Sequence, residues 1–60
     1  MTKINGYEVS SFYQGIMVYV VYKDGKEIGT CWSTQDVAML TETDVETVQE
    51  EMWKQSHYSV

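Results

Sequence analysis

The sequence predicts an α+β domain: a three-stranded antiparallel β-meander followed by two short α-helices. Residues 7–12, 16–22 and 27–32 are rich in β-branched and aromatic side chains, the composition of strands. Asp24-Gly25 separates the last two of these runs and is a strong hairpin signal, because a tight turn needs residues that tolerate positive φ. From Ser33 onward the apolar spacing changes from period two to the three-and-four spacing of a helix.

The first strand, YEVSSF, leads through Gln14-Gly15, a weaker turn of the same kind, into the second, IMVYVVY. The third, EIGTCW, ends at Trp32. Ser33 or Thr34 can cap a first helix through Val37, Ala38 and Leu40, with Asp36 favourable in its first turn. Thr43-Asp44-Val45-Glu46 then reads as a capping box opening a second helix. Val45, Val48 and Met52, with Trp53 beside them, form its apolar stripe, and the helix is expected to end near Gln55 to Tyr58. With 60 residues, no proline and no linker, the chain is one domain, meander 1–32 and helical pair 33–58. A chain this short buries only roughly 60% of its unfolded surface, so a partner or a second copy would help its stability.

Pairing the strands across two-residue turns places Phe12, Met17, Tyr19, Val21, Ile28 and Trp32 on one face of the sheet. Tyr7, Val9, Tyr13, Ile16, Val18, Val20, Tyr22 and Cys31 fall on the other. Both faces are then apolar, and two short helices cover only one. Tyr7, Val9, Ile16, Val18, Val20 and Tyr22 are therefore candidates for a dimer or partner interface. A bulge at either turn would change the parity of one strand and mix the faces.

The net charge of −5 is unevenly spread. Up to Trp32, Lys3, Lys23 and Lys26 offset Glu8, Asp24 and Glu27. Beyond it, Asp36, Glu42, Asp44, Glu46, Glu50 and Glu51 face Lys54 alone. Glu46 and Glu50 lie one helical turn apart, so carboxylates recur at roughly 6 Å, a spacing of the order of neighbouring phosphates. Glu42, Asp44, Glu46, Glu50 and Glu51 are thus the candidate partner-binding face, read either as a solvated helix surface or as charge mimicry of nucleic acid.

Other chemistry is poorly supported. Cys31 has no second cysteine and no nearby base, and reads as a buried strand residue rather than a nucleophile. His57 stands alone near the C-terminus. Tyr7, Tyr13, Tyr19 and Tyr22 could stack bases, but the positive groove such binding needs is missing from the sequence. No catalytic residue, cofactor or metal is expected. With no apolar leader in MTKINGYEV and no span-length apolar run, the chain is expected to be soluble and cytoplasmic.

Two resemblances extend this reading. Val37-Ala38-x-Leu40-Thr41 followed by Thr43-Asp44-Val45-x-Thr47-Val48, within residues 34–48, resembles the helix-turn-helix of the MerR and excisionase families. In those families an Ala and a Val pack where the helices cross. Glu42 stands at the turn position usually held by glycine, and the would-be recognition helix offers Glu46, Gln49 and Glu50, so direct nucleic-acid binding is not expected. The chain as a whole looks like the small acidic inhibitors of phages and mobile elements, anti-CRISPR and DNA-mimic proteins among them. That resemblance implies a non-enzymatic module that blocks a basic, nucleic-acid-handling host protein. The alternatives are a small helix-turn-helix transcription or recombination regulator, and a self-assembling module that dimerises through its sheet.

Overall fold

The computed structural model describes the backbone of residues 1–58 and the side chains of residues 1–54. The order is β1 (Thr2–Ile4), β2 (Tyr7–Tyr13), β3 (Met17–Lys23), β4 (Lys26–Cys31), α1 (Thr34–Leu40) and α2 (Val45–Tyr58). The fold is α+β as expected, but its antiparallel sheet has four strands in the order β1-β2-β3-β4 rather than three. The added strand comes from Asn5-Gly6. Both residues take positive φ, 51° and 85°, and this two-residue turn folds Thr2, Lys3 and Ile4 back onto Val9, Glu8 and Tyr7. Asp24 and Gly25, at φ 52° and 80°, make the equivalent turn between β3 and β4.

Two irregularities overturn the expected faces. Tyr13 pairs with Met17, so the β2–β3 loop holds three residues, Gln14, Gly15 and Ile16, and β3 changes parity relative to β2. A register shift between Val21 and Tyr22 pairs Val21 with Gly29 and Tyr22 with Glu27. Ile28 is left as the extra residue of a bulge, which restores the parity of β4 with respect to β2. The outcome is a sheet with two unlike faces. Ile4, Tyr7, Val9, Val21 and Cys31, with Tyr19 at their margin, meet Val37, Ala38 and Val48 of the helices in a single core. Phe12, Val18, Val20 and Tyr22 lie on the opposite face.

The helices begin where the chain offers a capping oxygen. Ser33 Oγ accepts a 3.3 Å hydrogen bond from the Asp36 N–H, as one of the two expected caps. At α2 the cap is Asp44 and not Thr43: Asp44 Oδ1 accepts a 2.7 Å bond from the Thr47 N–H. Gly29 lets α1 sit close to the sheet, since a Cβ there would lie 2.8 Å from Leu40 Cδ1.

α1 ends in a Schellman motif. The Thr43 N–H donates to the Ala38 carbonyl at 2.9 Å and the Glu42 N–H to the Met39 carbonyl at 3.3 Å. Glu42 occupies the left-handed position at φ 56°. Buried Thr41 satisfies its own hydroxyl by donating to the Val37 carbonyl at 2.7 Å.

Candidate functional site

The five candidate acids do not form one equivalent row. Glu42 lies in the turn between the helices, where its Oε2 accepts a 2.7 Å hydrogen bond from the Tyr7 hydroxyl. That bond is the main reason the Tyr7 hydroxyl is held above its ordinary pKa, with burial and the Glu42 charge adding to it. Lys23 Nζ sits 4.3 Å above the centre of the same ring, so a cation, an aromatic and a carboxylate follow one another at this end of the sheet. Asp44 is engaged as the α2 cap, and hydrogen bonds from Thr47 hold its carboxyl below the usual carboxylate range.

Glu50 and Glu51 both lie 3.5 Å from Lys54 Nζ. Their charges, Glu51 first, raise the Lys54 pKa. Exposed pairs of this kind contribute little to stability, but they place one positive charge among the carboxylates.

Glu46 and Glu50 project outward, one turn apart on α2. Exposed Gln49 and Trp53 occupy the same side, at positions three and seven beyond Glu46. Trp53 is 61% exposed and belongs to this ridge rather than to the apolar stripe. Its spacing from Glu46 was the available signal. Among the described residues of α2, Val45, Val48 and Met52 are the apolar ones that pack into the core.

The six sheet residues are likewise divided. Tyr7 and Val9 are core residues beneath the helices. Val18, Val20 and Tyr22 belong to the open face, and Ile16 is exposed in the β2–β3 loop. The four tyrosines share no stacking surface. Tyr7 is buried and Tyr19 half-buried on the helix side, Tyr22 faces the other way, and Tyr13 is exposed at the loop.

Cys31 is buried, and burial, with a smaller contribution from the Asp36 charge, pushes its thiol pKa up. It is a residue of the core beneath the helices. His57 lies outside the residues whose side chains are described.

Among the described residues no cavity opens and no group of His, Cys, Asp and Glu is placed to hold a metal ion. No helix among them is long and apolar enough to cross a membrane. The described surface presents an acidic ridge with an aromatic at its end and a partly apolar sheet face. No family model, curated protein or solved structure matches the chain.

Proposed function

We propose that this chain is a non-enzymatic protein-binding module whose α2 ridge enters the basic groove of a nucleic-acid-handling protein and blocks it, in the manner of small phage or mobile-element inhibitors. One observation carries the reading. Glu46 and Glu50 point outward one turn apart, with Trp53 next on the same side, and no Lys or Arg interrupts the chain from Ser33 to Trp53. Recurrent carboxylates at roughly 6 Å supply long-range attraction to a basic surface. A large aromatic beside them is the kind of side chain that anchors interfaces.

Glu42 and Asp44 contribute charge but are also occupied in holding the fold. The active part of the ridge is therefore Glu46, Glu50 and Glu51. The partner is to be captured from a bacterial lysate on tagged protein, released by a salt step and identified by mass spectrometry. Replacing the three glutamates together by glutamine should then slow association with it at least tenfold at low salt and flatten the salt dependence. An unchanged association rate would sink the reading.

A second reading has a specific observation behind it. The left-handed residue Glu42 between the two helices, and the presence of Ala38 and Val48 in one core, support a helix-turn-helix pair. A small transcription or recombination regulator would shift duplex DNA in a gel at low salt. No shift at high protein concentration removes that alternative.

A further inference from the structure

We propose that the hairpin end of the open sheet face is a homodimer interface, occupied by a second copy of this chain. The pairing register divides this face into rows. At the β2–β3 loop end, Phe12 pairs with Val18, and continuing the Tyr19–Cys31 pairing by one residue brings Trp32 opposite Val18. The middle row is Ser10, Val20 and Thr30. At the far end Lys3, Glu8, Tyr22 and Glu27 form a charged row. The face thus runs from wholly apolar to charged along the strands.

Val18 is only 7% exposed although no helix covers it, whereas Phe12 and Trp32, its neighbours in the row, are 44% and 58% exposed. Ile16 in the adjoining loop is 54% exposed. With large side chains offering roughly 200 Å² each, Phe12, Trp32 and Ile16 leave about 300 Å² of apolar surface at this end of the sheet. Two copies meeting here would bury about 600 Å² of apolar surface and, with Ser10, Val20 and Thr30 added at the rim, make a contact of the size of a weak, transient interface.

Charge decides which occupant fits. The first two rows carry no charged residue, while the net −5 of the chain resides in its helical half. A partner recognised through charge finds nothing to pair with on these rows. A second copy finds the same apolar row. A two-fold axis along that row superposes Phe12, Val18 and Trp32 on their equivalents and carries the two charged rows to opposite ends. Like charges are then kept apart, and both acidic ridges face outward.

The test is sedimentation equilibrium of the untagged protein from micromolar to millimolar concentration. A weak dimer with a dissociation constant in the high micromolar range is expected, little changed or tightened by salt because each copy is acidic. Phe12→Glu and Trp32→Glu, on different strands and each checked for native far-UV circular dichroism, should each weaken it more than tenfold. Met39→Glu on α1 and the combined glutamine replacement of Glu46, Glu50 and Glu51 should leave it intact.

Dilution of the unaltered protein, followed by amide NMR, gives an independent reading. Shifts should move at 12, 18, 20 and 32 and stay fixed at 46 and 50. A protein monomeric at millimolar concentration, a folded Phe12→Glu or Trp32→Glu variant that still dimerises, or dilution shifts confined to other residues would overturn the proposal. None of these results bears on the acidic ridge, whose failure would show only in partner association.

Discussion

Asn5 and Thr41, 36 positions apart, are joined by a 2.8 Å hydrogen bond from the Asn5 side-chain amide to the Thr41 carbonyl. The same amide reaches the Glu42 carbonyl at 3.3 Å. The first turn of the sheet therefore caps the end of the first helix, which leaves carbonyls without helical partners. Asn5 holds a tight-turn conformation and ties the β half to the α half with one side chain.

Those two duties separate experimentally. Asn5→Gly keeps the positive φ and loses the amide, and should cost about 1 kcal/mol, as for a typical hydrogen bond. Asn5→Ala loses the amide and also strains the turn, and should cost about 1 kcal/mol more. Chemical denaturation of both variants checks the order. Equal losses would mean that the turn conformation carries no energetic weight.

Ile4 is fully buried although it belongs to the strand that sequence reading omits. Its truncation in Ile4→Ala should cost about 2–5 kcal/mol. A domain of this length has only about 3–9 kcal/mol to lose, so the variant should melt at least about 8 °C below the parent by circular dichroism. A cooperative transition within 3 °C of the parent would show β1 to be dispensable.

The sequence carried the element types further than their pairing. Strand composition, Asp24-Gly25 and the helical spacing after Ser33 located the meander and both helices. β1 was missed because three residues are too few to display alternation; its signal was the Asn5-Gly6 turn. The sheet faces were misread because Gln14-Gly15 suits a two-residue turn as well as the three-residue loop that forms, and nothing in EIGTC marks Ile28 as a bulge. Thr43 and Asp44 are both competent caps, and only the path of the chain selects Asp44. In the candidate site, the acids were legible as charge. Their division into structural and outward-facing groups depends on Tyr7, Lys54 and the cap geometry, which adjacency in sequence does not reveal.

Stability should fall at both ends of the pH scale, through different residues. Asp44 has a lowered pKa in the folded state, so its contribution is present above its ordinary value of 3.8 and is lost as pH falls through the lowered one. Tyr7 has a raised pKa, so its contribution is present below 10.0 and is lost as pH rises through the raised value. The stability difference between the parent and Asp44→Asn, which still caps but does not titrate, should shrink in acid. The difference between the parent and Tyr7→Phe should shrink in alkali. Denaturation midpoints across pH check both, and differences that stay flat through these ranges would contradict the assignments.

Cys31 should react with a thiol reagent only as fast as the domain opens. Its raised pKa keeps the thiolate scarce, and the core excludes the reagent. Labelling at pH 7 should be at least a hundredfold slower in buffer than in denaturant. Reaction at the free-thiol rate in buffer would place Cys31 at the surface.

Glu42 sets a side-chain gain against a backbone cost. At φ 56° it holds the Schellman position that glycine fills without strain, while its carboxylate accepts the Tyr7 hydroxyl. Glu42→Ala keeps the strained backbone and loses the hydrogen bond. Glu42→Gly loses the same bond but relieves the backbone, so it should be more stable than Glu42→Ala by about 1 kcal/mol. With Tyr7 already changed to Phe the bond is absent from the start, and there Glu42→Gly should stabilise the domain outright. Urea midpoints of the single and double variants measure both differences. If glycine and alanine at position 42 prove equal, the left-handed turn is not under strain.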